Sequence, residues 1–255
     1  MKRIAAAVLT AALCLTASVQ AAPLEAYGKL PKVEQVAISR DGQYLAISAT
    51  DGEQRTVAIE RTDDRKVVAL IRAGDRKLRS LNWAGSNHVL MTVSTMSDMG
   101  EDILFGSGEH FGVIDFNLTT RKQKVLLSDL PGTINTVFND PEIRVVDGKP
   151  YAFVVGAFFA SGGGNANTAV FRIDLDKGQS KLAMAALPHA RGFLIDANGE
   201  VTAQSLYDAP TSRWSLRVKT GSEWREVKSV VAPIERPALA GVSYDGRSIL
   251  SLIHI

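Results

Sequence analysis

The sequence predicts an all-β protein, a β-propeller built from four-stranded blades. The first observation is a hairpin segment, ISRDGQYLAISA from Ile38 to Ala49, in which Asp41-Gly42 lies between two short apolar runs. Asp-Gly closes tight hairpins because glycine adopts positive φ at no steric cost. A hairpin that recurs along a chain at blade-length intervals is typical of propellers. Related segments begin at Leu81, Arg144, Phe193 and Gly241.

A second repeated segment alternates with the hairpins, and each copy has a β-rich strand, a polar turn and another apolar strand. Its copies begin at Thr56, Phe111, Ala169 and Ser215. Together the two repeats give four strands per unit, as in the blades of a propeller. No helical periodicity is sustained after residue 21, which disfavours an α/β fold. The predicted units run from about Val33 to Ile71, Leu78 to Ser128, Asp140 to Ala185 and Ala190 to Val231.

The predicted ring of blades is incomplete. A fifth unit begins at Ala238 and forms one hairpin before the sequence ends, so we expect about four blades and the start of a fifth over residues 22–249. Residues 250–255, LSLIHI, resemble the translation of an adapter used in preparing sequencing libraries, and we predict that they are a non-native tail. The alternative is a genuine terminal strand.

The first 21 residues have the pattern of a secretory signal peptide. Lys2-Arg3 precede an apolar run from Ile4 to Ala17, and Val19-Gln20-Ala21 offers small residues for cleavage before Ala22. A membrane anchor is the alternative, but the run is shorter than the ~20 apolar residues that span a bilayer. We therefore predict a periplasmic or secreted protein with no stable membrane insertion after cleavage.

Charge and cysteine usage exclude several classes of function. Loss of Lys2 and Arg3 brings the formal net charge of +2 close to zero, so no nucleic-acid partner is predicted. The only cysteine, Cys14, lies in the predicted signal peptide. The remaining chain therefore has no thiol nucleophile, no disulfide and no cysteine metal ligand.

Motifs that would mark a catalytic, cofactor or metal site are not found in the sequence. There is no G-x-S-x-G pattern, and Ser107 has flanking glycines at the wrong offsets, as expected for a loop serine. The glycine-rich segments 106–112 and 161–165 lack the G-x-G-x-x-G spacing and a following helix. His88, His110 and His189 are scattered along the chain without metal-ligand spacing. We therefore predict no catalytic, cofactor-binding or metal-binding residue in this chain.

Two sets of repeated residues suggest structural roles instead. The acids Glu60, Asp115 and Asp174 stand at equivalent strand ends, and we expect each to accept hydrogen bonds in the turn of its own blade. The tryptophans lie in predicted strands whose pattern favours packing between blades. These tryptophans are Trp83, Trp214 and Trp224.

The segment from Pro23 to Ile47 resembles a known family. Its sequence, PLEAYGKLPKVEQVAISRDGQYLAI, contains the Leu30-Pro31 turn and the S-x-D-G-x-x-L-A hairpin from Ser39 to Ala46. It is similar to the start of secreted bacterial members of the prolyl oligopeptidase family, with acylaminoacyl-peptidase-like and dipeptidyl-peptidase-like relatives. The resemblance implies a propeller that precedes a C-terminal α/β-hydrolase domain with a Ser-Asp-His triad. No catalytic residue carries over, because that domain is not in this sequence.

Two hypotheses about function follow. In the first, the chain is the N-terminal propeller of an exported serine peptidase, and it admits peptide substrates to a catalytic domain while it excludes folded proteins. In the second, it is a non-enzymatic propeller that binds a protein or an envelope partner, like the TolB-type scaffolds that share the hairpin motif. A continuation of the gene beyond Arg247 into a G-x-S-x-G segment would support the first hypothesis. A stop after ring closure would support the second.

Overall fold

The computed structural model describes residues 23, 28, 32–74, 76–98, 107–159 and 166–252. The predicted signal peptide, the Leu30-Pro31 turn, the glycine-rich segment 161–165 and residues 253–255 lie outside the described residues. Within the described part, no helix has the length and hydropathy needed to cross a bilayer.

All regular elements of the described residues are β-strands, which we number β1 to β19. In the first half of the chain they are β1 Val33–Ile38, β2 Tyr44–Thr50, β3 Arg55–Arg61, β4 Val67–Gly74, β5 Lys77–Ala84, β6 His88–Asp98, β7 Ser107–Asn117, β8 Gln123–Val125, β9 Thr133–Val137 and β10 Glu142–Val146. In the second half they are β11 Lys149–Phe159, β12 Ala166–Asp174, β13 Gln179–Ala185, β14 Ala190–Ile195, β15 Val201–Asp208, β16 Arg213–Thr220, β17 Glu223–Val231, β18 Ala238–Val242 and β19 Ile249–Leu252.

The strands form consecutive antiparallel sheets in chain order. The first sheet is β1-β2-β3-β4, the second β5-β6-β7-β8, the third β10-β11-β12-β13 and the fourth β14-β15-β16-β17, and β18-β19 is a separate hairpin. The first strands of neighbouring sheets lie against each other, as β1 does with β5, β5 with β10 and β14 with β18. Sequential four-stranded sheets that meet along their first strands are the blades of a β-propeller. This confirms the predicted fold class and the predicted order of the units.

The third sheet differs from its prediction by one strand. The predicted unit begins at Asp140, but β9 precedes it and pairs with β11 beyond the end of β10. Between β9 and β10, the Asn139 side chain accepts a hydrogen bond from the backbone N–H of Val155 at 2.6 Å. Pro141 follows and has no N–H to donate. In the sequence, an edge strand interrupted in this way has the pattern of two short segments instead of one strand. The sequence pattern therefore did not reveal β9.

Four apolar clusters hold neighbouring sheets together. The first joins sheets one and two, the second joins two and three, the third joins three and four, and the fourth joins sheet four to the β18-β19 hairpin. Strand β11 contributes to two of them, because Ala152 and Val154 lie in the second cluster and Phe153 in the third. Burial on both faces explains why the run that begins at Tyr151 is apolar without alternation.

The Ser-x-Asp-Gly hairpin turn owes its shape to two side chains. Ser39 Oγ donates to Asp41 Oδ1 at 2.7 Å and accepts from the N–H of Tyr44 at 2.9 Å. Asp41 Oδ1 also accepts from the N–H of Gln43 at 3.1 Å. The hydrogen bond from Ser39, followed by that from Gln43, lowers the pKa of Asp41. The same contacts recur in the β18-β19 hairpin through Ser243, Asp245, Arg247 and Ser248.

Candidate functional site

The strand-end acids do not all serve their own turns. Asp174 does so as predicted, because its Oδ1 accepts from the N–H of Lys177 at 3.0 Å. Glu60 also binds within its own turn, but to the side chain of Arg65, whose Nε lies 2.9 Å from Oε2. The prediction is wrong for Asp115, which lies on β7 and faces a buried histidine instead of a turn.

That histidine is His88, the first residue of β6, and its ring is fully buried. Its Nδ1 lies 3.0 Å from both carboxylate oxygens of Asp115. Its Nε2 lies 3.1 Å from Asp176 Oδ1, on the β12-β13 turn of the third sheet, and 3.4 Å from Asn117 Nδ2. His88 therefore joins the second and third sheets through a row of two carboxylates and one imidazole, a grouping that the sequence analysis missed.

Opposing effects act on the pKa of His88. Burial lowers it, but the hydrogen bonds and negative charges of Asp115 and then Asp176 outweigh burial, and the pKa lies above its ordinary value. In a serine-hydrolase triad the second imidazole nitrogen faces a hydroxyl. Here both ring nitrogens face carboxylates, so His88 is bound as a structural link between sheets.

Ser107 and the three tryptophans all lie on strands. Ser107 is the first residue of β7 rather than a loop serine, and it is exposed. Trp83 Nε1 donates to the carbonyl oxygen of Ala37 at 3.0 Å, and its ring stacks on Tyr44 with centroids 6.1 Å apart. Trp224 lies in the third apolar cluster and Trp214 in the fourth. The prediction that the tryptophans pack between blades is confirmed.

Within the described residues, no cluster of three His, Cys, Asp or Glu side chains could hold a metal ion.

A cleft of about 800 Å³ lies between the first strands of the third and fourth sheets and the β18-β19 hairpin. We call it the Glu142 cleft. Strand β10 provides Glu142 and Arg144, and Lys219 comes from β16. A neighbouring cleft of about 390 Å³ shares Glu142 and Phe193 with it. The rest of the wall of the larger cleft comes from the segments 193–198, 239–244 and 246–249, with Thr202 and Val218.

Arg144 fixes the floor of the Glu142 cleft. Its Nη2 donates to Glu142 Oε2 at 2.9 Å and to the carbonyl oxygen of Ile195 at 2.7 Å. Its Nε donates to the carbonyl oxygen of Asp196 at 3.1 Å. The guanidinium therefore ties β10 to the end of β14 and holds the Glu142 carboxylate at the boundary between two sheets.

Glu142 has capacity to bind a further donor. Burial raises its pKa, and the charge and hydrogen bond of Arg144 oppose that rise without cancelling it. Within the described residues, Oε1 of Glu142 has no hydrogen-bond partner, and its side chain is 35% exposed. A partly buried carboxylate with one free oxygen suits a ligand that donates hydrogen bonds, such as an ammonium group or a peptide N–H.

Comparison with solved structures finds similar chains at low sequence identity. Dipeptidyl peptidase 4 from Porphyromonas gingivalis is 12% identical, with a TM-score of 0.48, over 86% of this chain and 35% of that chain. The β-propeller domain of the Trilobed protease from Pyrococcus furiosus is 13% identical, with a TM-score of 0.42, over 76% and 54%. TolB from Acinetobacter baumannii is 14% identical, with a TM-score of 0.31, over 74% and 52%.

The chain thus spans about a third to about half of the length of these proteins. No protein-family model matches the sequence, and no curated protein matches it.

Proposed function

We propose that this chain is the N-terminal propeller of an exported prolyl-oligopeptidase-like serine peptidase, and that it admits peptides to a catalytic domain outside this sequence. The similarity of residues 23–47 to that family supports the assignment. The observation that carries the peptide-binding role is the Glu142 cleft, where a carboxylate with a free oxygen lies at the first strands of neighbouring sheets. A peptide amino terminus can donate to that oxygen, whereas the termini of a compact folded protein are less able to enter a cleft of this size.

Activity in the natural gene product tests the assignment to a peptidase. The gene should continue beyond Arg247 into a G-x-S-x-G segment, and the full-length protein should react with a fluorophosphonate probe. It should cleave a short peptide faster than the same sequence placed within a stable folded protein. A gene that ends after ring closure, with no probe labelling, would support the alternative of a non-enzymatic propeller that binds a protein or envelope partner.

Peptide binding by the Glu142 cleft can be measured on this chain. We expect Glu142→Gln to weaken binding of a peptide with a free amino terminus by about 10-fold, because a charge-assisted hydrogen bond is replaced by a neutral one. Acetylation of the peptide should have a similar effect on the unmodified protein. Glu226→Gln is the charge-matched control, since Glu226 pairs with Arg213 on the outer strands of the fourth sheet. The role of Glu142 would be contradicted if E142Q bound the free and the acetylated peptide equally well, and as tightly as the unmodified protein binds the free peptide.

A further inference from the structure

A further cleft lies between the third and fourth sheets, on the side of the outer strands, and its charged residues are mostly basic. Arg172 on β12 and Lys181 on β13 are register partners, so their side chains share one face of the third sheet. Lys219 comes from β16 on the facing wall. The cleft has a volume of about 190 Å³ and also includes Glu200, Met184, Val201 and Trp224. We call it the Arg172 groove.

The guanidinium of Arg172 is held in place by aromatic rings. Its Cζ lies 4.0 Å from the ring centroid of Tyr151 and 5.9 Å from that of Phe153. Gly199 provides space beside it, because a Cβ at that position would lie 3.0 Å from Phe153 Cζ and 3.7 Å from Arg172 Cζ. A cation fixed in this way loses little conformational entropy when an anion binds.

Among the described residues, the cations of the Arg172 groove have no carboxylate partners. Within the described residues, Arg172 Nε is buried without a hydrogen bond, and no ion pair includes Arg172, Lys181 or Lys219. The acids on the adjoining surface are already occupied. Asp129 accepts from Ser180 and lies 3.3 Å from Lys124 Nζ, and Asp174 accepts from Lys177.

We propose that the Arg172 groove binds a carboxylate group of a peptide, supplied by an acidic side chain or by the carboxyl terminus. The planar guanidinium can donate two parallel hydrogen bonds to a carboxylate. Glu200 on the same wall disfavours a dianion such as phosphate more than a monoanion. Met184, Val201 and Trp224 form an apolar surface beside Arg172 for the neighbouring side chain of the peptide. Lys219 borders both clefts, but Arg172 and Lys181 do not line the Glu142 cleft, so this proposal does not depend on the proposed function.

Titration with matched peptides, followed by NMR chemical shifts, tests the proposal. The probes are acetyl-Leu-Ala-Glu-Ala-amide, acetyl-Leu-Ala-Gln-Ala-amide and acetyl-Leu-Ala-Gln-Ala with a free carboxyl terminus. We expect at least one carboxylate peptide to bind about 10-fold or more tightly than the neutral peptide, because a charge-assisted bidentate contact is lost in the neutral one. The two carboxylate peptides distinguish side-chain from terminal recognition. Inorganic phosphate is the third arm, and binding of phosphate more tightly than either carboxylate peptide would overturn the choice of ligand.

Variants separate recognition from packing. Arg172→Met should abolish the preference for the carboxylate peptide. Arg172→Lys should retain only part of that preference, since lysine keeps the charge but cannot donate two parallel hydrogen bonds from one plane. Arg61→Met is the control, because it removes an exposed arginine from the first sheet. If R172M is destabilised, Lys181→Met provides a second measurement, because Lys181 does not line the Glu142 cleft. It should weaken carboxylate binding several-fold, while E142Q leaves that binding unchanged. Absence of carboxylate preference in the unmodified protein, or its retention in folded R172M, would overturn the proposal.

Discussion

Leu127 occupies the space that a side chain on Gly156 would otherwise fill. A Cβ built on Gly156 would lie 3.1 Å from Leu127 Cδ1, 3.2 Å from Phe171 Cε2 and 3.3 Å from the carbonyl oxygen of Thr136. Leu127 is buried and adopts a φ of 66°, a conformation that non-glycine residues rarely occupy. The centre of the third sheet therefore tolerates little added volume.

Gly156→Ala should lower the free energy of unfolding by about 1–3 kcal/mol, because the added methyl group overpacks a site with contacts on three sides. Urea denaturation measures the change. Gly108→Ala is the matched control, since Gly108 also lies in a strand and a Cβ there meets nothing within 4 Å. Equal stability of the two variants would show that the third sheet relaxes around the methyl group.

Removal of His88 should be among the most damaging single changes in this chain. His88→Leu leaves Asp115, which is 5% exposed, without its partner, and breaking a buried pair in this way costs about 3–5 kcal/mol. Asp115→Leu in the same background should recover part of the loss, because the unpaired charge is gone. Asp176→Asn should cost much less, since the Asp176 side chain is 49% exposed. A loss in H88L no greater than in D176N would contradict the structural role of the pair.

The same pair predicts a pH dependence of stability. The pKa of His88 is raised above its ordinary value of 6.5 by Asp115 and Asp176 against the effect of burial, so the folded state retains a proton that the unfolded state releases. The stabilisation is therefore fully present below about pH 6.5 and is lost as the pH rises through the folded-state pKa. Burial raises the pKa of Asp115, and the hydrogen bond and charge of His88 oppose that rise. This shift also makes the protein less stable as the pH rises, but at lower pH than the shift of His88.

Urea denaturation at about pH 6 and about pH 9 measures this effect as the difference between the unmodified protein and the H88L/D115L double variant. The unfolding free energy of the unmodified protein minus that of the double variant should be smaller at about pH 9 than at about pH 6. An unchanged difference would mean that His88 is not protonated in the folded state.

The Ser-x-Asp-Gly turn allows a matched comparison within one chain. Ser39→Ala removes the acceptor for the N–H of Tyr44, and because Ser39 is 2% exposed, we expect a loss of about 1–3 kcal/mol. Ser243→Ala removes the same contacts from an exposed hairpin, where water can replace them, and should cost less. Thermal unfolding of both variants gives the comparison. A larger effect at Ser243 would contradict burial as the cause of the difference.

Much of the fold was predictable because propeller hairpins are local. Ser39, Asp41 and Tyr44 contact one another within one turn, so the residues that shape the hairpin also mark it in the sequence. The same holds for Asp174 and Lys177 in the third sheet. Strand β9 escaped prediction because the edge that it shares with β10 is interrupted at Asn139, whose side chain contacts Val155 without any periodic signal in the sequence.

The sequence by itself determined the class of fold, the order of the strands and the positions of the turns, since each depends on residues a few positions apart. Only the tertiary structure decided which polar side chains meet. His88 and Asp176 are 88 residues apart, and Arg144 reaches the backbone of Asp196 across 52. Such contacts depend on how one sheet is placed against the next, and apolar packing over whole sheet faces sets that placement. No single spacing in the sequence therefore identifies which polar side chains become partners.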